Sequence, residues 1–89
     1  MLRIHKKDIS ELYRLKILSE MHVLSDRIAY FEKKYNCVFK KFEKTVKEGN
    51  KEKYTEWDDY LEWKAYLKSY DYKKNEIKEI ENNDFKLVG

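Results

Sequence analysis

Three residues of this chain have side chains that often act as nucleophiles, bases or zinc ligands: His5, His22 and Cys37. A zinc site needs three or four ligands that converge on one point, and the two histidines lie on different segments. Cys37 lies between Lys34 and Lys40, and lysines beside a helix start can activate a thiol. No base lies near it in the sequence, so we expect a small packed residue beneath a turn.

A group of carboxylates follows later in the chain, at Glu56, Asp58, Asp59 and Glu62. Di-metal carboxylate sites in helical bundles also use Glu-x-x-His pairs on two helices. Neither histidine has Glu three residues before it, and no second acidic cluster matches this one. The sequence also contains no nucleotide-binding loop, nucleophile elbow or Cys-x-x-Cys pair. It therefore predicts a protein that is not an enzyme, with no catalytic residue, metal site or cofactor.

Lysines form a basic block between residues 33 and 47, interleaved with Tyr35, Phe39 and Phe42. Clustered lysines bind phosphate when they share a surface. The two phenylalanines, however, have the spacing of a packed helix face, and charge runs usually lie in solvent or attract a neighbouring acidic element. Nucleic-acid binding therefore remains an alternative function. Its candidate phosphate contacts are Lys33, Lys34, Lys40, Lys41, Lys44 and Lys47.

The composition limits the kind of domain that can hold these residues. The 89 residues are 42% charged and 16% aromatic, with two glycines, no proline and one cysteine. These values argue against β-sandwiches, disulfide scaffolds and simple disorder. No apolar run has the length of a membrane helix, and no signal-peptide stretch is visible. We expect one all-α domain over residues 1–89, in the cytoplasm, and the Lys- and Glu-rich balance without Gln favours an archaeal thermophile.

A first long helix is predicted over about residues 8–35, starting with a capping box at Asp8 and Glu11 or with Ser10 as a competing cap. Its seam residues recur every three or four positions within an arc of about 80°, which is typical of a coiled-coil-like contact. A second apolar stripe on another side of this helix predicts a second neighbour. The seam consists of Tyr13, Ile17, Met21, Leu24, Ile28, Phe31 and Tyr35, and the second stripe of Leu15, Leu18, His22 and Ala29.

A short helix is predicted over about residues 38–48, between two breaks in the chain. Asn36 suits the first break because Asn tolerates left-handed backbone, and Gly49 suits the second as a C-cap. A second long helix is predicted over about residues 52–81, followed by an apolar tail at 82–89. The short helix has one apolar face, made of Phe39, Phe42 and Val46.

The second long helix also carries two apolar patches. The broad patch consists of Tyr60, Trp63, Tyr66, Leu67, Tyr70 and Ile77, and the other of Trp57, Leu61, Ala65 and Tyr72. These patterns predict a long antiparallel, coiled-coil-like helical hairpin with a short helix between its arms. Because one hairpin of this size leaves apolar surface uncovered, we expect a two-fold homodimer that forms a four-helix-like bundle.

Part of the chain resembles a known group of proteins. The matching residues are FEKKYN at 31–36, F-x-x-FEK at 39–44, Gly49, and W-x-DYLEWKAY at 57–66. This pattern is similar to small helical proteins of archaea and bacteria, some of which are encoded beside toxins and called antitoxin-like. The resemblance covers under half of the chain and implies a small helical fold. It also implies an antitoxin-like role beside a neighbouring toxin.

The sequence therefore favours a non-enzymatic protein–protein interaction module that covers a partner's surface. Buried Trp and Tyr dominate the energetics of such interfaces. Tyr60 and Trp63 have a second interpretation, as core residues of the hairpin, and we favour it for those two. The full set of predicted interface residues is Trp57, Tyr60, Trp63, Tyr66, Tyr70 and Phe85.

Overall fold

The structure, a computed structural model, describes residues 6–49 and 54–83. They form three helices, α1 (Lys6–Tyr35), α2 (Phe39–Glu48) and α3 (Tyr54–Asn83), and no strand occurs in either range. The two long helices have 30 residues each, a length of about 45 Å. They pack against each other along the hairpin, so the prediction of an all-helical hairpin with a short intervening helix is confirmed for the described residues.

The helix ends differ from the predicted ones by a few residues. Because α1 begins at Lys6, Asp8 lies within its first turn rather than before it. α2 begins at Phe39, and the preceding Val38 has extended backbone and provides no side-chain cap. α3 ends at Asn83, so the helix takes up the first residues of the predicted tail. The rest of that tail lies outside the described residues.

The two predicted breaks use different backbone conformations. Asn36 has a φ of 52°, the left-handed conformation expected for it. Gly49 is the C-cap of α2, but its backbone is extended, and its N–H donates to the Thr45 carbonyl at 2.9 Å. A Cβ at this position would lie 2.9 Å from that same carbonyl oxygen. Glycine therefore suits this position because of a close approach and not because of a left-handed turn.

An aromatic cluster forms the core at the end where α1 leads into α2. Phe31, Phe42, Tyr60 and Trp63 are the buried members, each at most 4% exposed. The ring of Trp63 stacks on Phe31 at 5.6 Å and lies 5.4 Å from Phe42. The ring of Phe39 meets Trp63 edge-on at 5.3 Å. Since two of these rings come from α2, burying them is what docks the short helix on α3.

A row of polar contacts follows one flank of the seam between α1 and α3. Its members recur every seven residues on each helix, which is the repeat of a coiled coil. Residue numbers that rise along α1 pair with falling numbers along α3, so the helices are antiparallel. The pairs are Glu20 with Lys73, Arg27 with Tyr66 at 2.9 Å, and Lys34 with Asp59 at 2.6 Å.

The far end of the hairpin has a more polar seam than the aromatic end. Ile17 and Ser10 are buried there, at 2% and 5% exposure. Arg14 donates to Glu81 at 3.4 Å, and Tyr13, a seam residue, donates to Glu76 at 3.1 Å. Exposed contacts of this kind contribute little stability. The aromatic cluster therefore holds the hairpin more firmly than the opposite end does.

Candidate interaction surfaces

The predicted interface residues do not share one surface. Trp63 is fully buried and Tyr60 is 2% exposed, so both belong to the core of the hairpin and their rings cannot reach a partner. Tyr66 and Tyr70 are half-buried, and Trp57 is 41% exposed. The remaining member, Phe85, lies outside the described residues. Of this set, Trp57 is the aromatic side chain that the structure leaves most open.

A stripe of exposed residues runs along α3 on the side opposite the hairpin seam. We call this stripe the outer face of α3. At about 100° per residue its positions fall within roughly 80° of one another. Trp57 lies along one edge and packs against Tyr60 at 5.3 Å. The outer face of α3 consists of Tyr54, Asp58, Leu61, Ala65, Lys68 and Tyr72, all of them exposed.

α1 also has exposed apolar side chains away from its seam. We define the outer face of α1 as Leu12, Leu15, Leu18, His22 and Ala29, all of which are exposed. His22 lies 3.7 Å from Asp26, one turn further along the helix. The second stripe predicted for α1 is therefore on the surface of the hairpin. Among the described residues, no element covers the outer face of either long helix.

The lysines of α2 point away from its docked aromatic face. Phe42 is buried and Phe39 packs against the core cluster, whereas Lys40, Lys41 and Lys44 are exposed. The ammonium groups of these three lysines make no ion pair or hydrogen bond with a described residue, and neither does that of Lys33. We call Lys33, Lys40, Lys41 and Lys44 the lysine surface. Two predicted phosphate contacts differ, since Lys47 lies 3.9 Å from Glu43 and Lys34 binds Asp59.

Asp59 is the centre of a small hydrogen-bonded cluster between α1 and α3. Its carboxylate accepts hydrogen bonds from Lys34 Nζ at 2.6 Å and from the hydroxyl of Tyr35. Burial opposes ionisation of Asp59, but the two donors outweigh it and hold the pKa of the carboxyl below its usual value. Burial and the neighbouring carboxylate raise the pKa of Tyr35. The hydrogen bond to Asp59 raises the pKa of Lys34, so this cluster stays charged at neutral pH.

Part of the predicted attraction between the basic and acidic blocks is formed in the structure, where Lys34 binds Asp59. Glu43 instead accepts a hydrogen bond from Tyr60 at 2.7 Å, which lowers the pKa of that carboxyl. Glu62 accepts one from Tyr66 at 2.5 Å. The acidic side chains of this region thus hold tyrosines in place, and most of the basic block stays in solvent.

A shallow groove of about 340 Å³ lies beside the Asp59 cluster. Its polar groups already bind one another, because the Arg27 guanidinium donates to Tyr66 and Tyr66 donates to Glu62. Cys37 lies elsewhere, half-buried against the aromatic cluster, which agrees with a packing role. Within residues 6–49 and 54–83, no three His, Cys, Asp or Glu side chains are grouped so that they could hold a metal ion.

Two features of the structure were not predicted. The first is the row of polar pairs that recur every seven residues. It could have been predicted, since Glu20, Arg27 and Lys34 are spaced by seven residues in the sequence. The indole N–H of Trp63 has no acceptor among the described residues, and no sequence signal indicates that this donor would be unpaired.

In the described part of the chain, no helix is apolar over a stretch long enough to cross a bilayer. No family model, no curated protein and no solved structure matches the chain.

Proposed function

We propose that this protein is a non-enzymatic protein–protein interaction module that assembles as a dimeric helical bundle. The main support is the outer face of α3, where Tyr54, Leu61 and Tyr72 are 78%, 48% and 69% exposed. Exposed tyrosines on one face of a helix are typical of protein interfaces, since each has an apolar ring and a polar tip. The buried aromatic cluster keeps the two long helices together and holds both outer faces on a fixed scaffold.

Besides a second copy of itself, the partner in this proposal is a toxin-like protein whose gene lies beside the gene of this one. The mechanism is occlusion, in which an apolar helix face covers the partner's working surface. The outer face of α1 presents Leu12, Leu15 and Leu18 for that contact. Trp57 is the aromatic anchor that remains accessible, and Phe85 is a further proposed anchor from the tail. Truncating an accessible aromatic anchor typically weakens binding more than truncating its neighbours.

Co-expression with the product of the adjacent gene tests the partner proposal. We expect a complex that persists in high salt, because its contacts are mainly apolar. Leu15→Asp should break this complex, whereas Ser69→Asp, at an exposed position of α3 that belongs to neither outer face, serves as the matched control. Absence of a complex with the wild-type chain would contradict the antitoxin-like role.

A second candidate function is nucleic-acid binding through the lysine surface. The observation that favours it is that Lys40, Lys41 and Lys44 are exposed and that their ammonium groups make no ion pair or hydrogen bond with a described residue. Binding to random duplex DNA should then weaken steeply as salt rises. The triple variant in which these lysines become glutamine should lose binding and keep its helix content. Unchanged binding by that variant would rule out this surface.

A further inference from the structure

The outer face of α3 has a symmetry in its residue types. Its six positions alternate by four and three residues, the spacing of a continuous coiled-coil stripe. Read from either end, the stripe has the same order: a tyrosine, a charged residue, two apolar residues, a charged residue and a tyrosine. The two charged positions, Asp58 and Lys68, have opposite signs.

This arrangement suits a second copy of the same helix lying antiparallel to the first. A two-fold axis makes a surface bind to itself, with each residue facing its mirrored position. If the axis passes α3 at the level of Trp63, Asp58 faces Lys68 of the second copy. The large Leu61 then faces the small Ala65, which lets the side chains interdigitate. Tyr54 and Tyr72 face each other at both ends of the contact.

The charges of Asp58 and Lys68 are available for this pairing. Both side chains are exposed, and neither makes an ion pair or hydrogen bond with a described residue. Sliding one copy by seven residues along the other separates Asp58 from Lys68, because Asp58 then faces Asn75 or Leu61 of the second copy. Only the Trp63-centred arrangement pairs the two opposite charges, and it does so twice in each dimer. Reciprocal pairs of this kind select orientation and register.

We propose that a second copy of this chain binds antiparallel on the outer face of α3, with two reciprocal ion pairs between Asp58 and Lys68. The inference rests on the self-association stated under the proposed function and names its face and register. It leaves the outer face of α1 and the lysine surface open in the dimer.

A charge-exchange experiment tests this arrangement. Sedimentation equilibrium over a dilution series gives the dimer dissociation constant for the wild-type chain, Asp58→Lys, Lys68→Asp and the double exchange. Each single variant turns two attractive pairs into two repulsive ones and should raise the dissociation constant about tenfold. The double exchange restores both pairs and should return the constant to the wild-type value. Asp71→Lys and Lys78→Asp are matched controls, since both residues are exposed and lie off the outer face of α3.

The outcomes separate this inference from the broader proposal. Weakening by both single variants with recovery in the double variant supports the antiparallel pairing. A dimer that all these variants leave equally tight overturns the pairing, while self-association through another face survives. Weakening without recovery also overturns it. A chain that is monomeric at every concentration contradicts both the inference and the proposed dimer.

Discussion

Lys34 on the last turn of α1 lies 2.6 Å from Asp59 on α3, and Tyr35, the next residue, binds the same carboxylate. The three residues lie beside the buried aromatic cluster, where the rings of Tyr35 and Phe42 contact each other with their centres 4.1 Å apart. The contact therefore links the charged flank of the hairpin to its core. Because it joins residues 25 positions apart, it also helps to set the register of α1 against α3.

Asp59→Asn should lower the free energy of unfolding by about 1–2 kcal/mol at neutral pH, because the charge-assisted bonds from Lys34 and Tyr35 weaken. Urea denaturation measures the change. Asp71→Asn is the matched control, since Asp71 is exposed, lies off the outer face of α3 and has no side-chain partner among the described residues. Equal stability of the two variants would show that the Asp59 cluster does not hold the helices together.

The same contact should make stability depend on pH in acid. The pKa of Asp59 in the folded state lies below its ordinary value of 3.8. The ionised carboxylate therefore stabilises the folded state at pH values above that ordinary pKa. That contribution is lost as the pH falls through the lower folded-state pKa. The difference in unfolding free energy between wild type and Asp59→Asn should therefore hold from neutral pH to about pH 5 and shrink below about pH 4. A difference independent of pH would contradict this assignment.

The two tryptophans should respond very differently to truncation. Trp63→Ala removes a fully buried ring and should cost about 3–5 kcal/mol of unfolding free energy. Trp57→Ala should cost about 0.5 kcal/mol, because its ring is 41% exposed. Trp63→Phe keeps an aromatic ring and should cost much less than Trp63→Ala, since the indole N–H has no described acceptor to lose. Thermal unfolding followed by circular dichroism compares the three, and similar losses for Trp57→Ala and Trp63→Ala would contradict the placement of the core.

Gly49→Ala should destabilise the protein by about 1 kcal/mol, since the new methyl group would approach the Thr45 carbonyl at 2.9 Å. The gain from stiffening the unfolded chain opposes part of this cost. Glu48→Ala, at the neighbouring exposed position, controls for general effects on α2. A Gly49→Ala variant as stable as wild type would show that the end of α2 relaxes freely.

Hydrogen exchange should be uneven along the hairpin. Amides near Phe31 and Trp63 should be the most protected, because opening them exposes the aromatic cluster. Amides near Arg14 and Glu81 should exchange faster, since the contacts there are polar and exposed. Uniform protection over α1 and α3 would contradict a fold that is held mainly at one end.

The sequence predicted the helices and the seam well, because their signals are local and periodic. Ile17 and Phe31 belong to the predicted seam of α1 and are buried. The break at Asn36 followed from its tolerance of left-handed backbone, and the structure places it there. Both observations depend on a few neighbouring residues along the chain.

Tertiary relationships were harder to predict. Trp57 and Trp63 belong to different patches of α3, and only the position of α1 and α2 decides which patch is buried. The pairing of Asp59 with Lys34 and Tyr35 needs the register between two helices, which no single-helix pattern fixes. The structure starts α1 at Lys6, two residues before the capping box predicted at Asp8, and helix ends commonly vary by one or two residues.

Sedimentation equilibrium of the wild-type chain tests the proposed interaction module most directly. Since the outer faces of α1 and α3 stay exposed in one hairpin, we expect the mass to rise to twice the 11.0 kDa of the single chain as concentration increases. The helix content should stay constant while this happens, because the hairpin itself does not change. A mass of 11.0 kDa at every concentration would contradict the dimeric bundle.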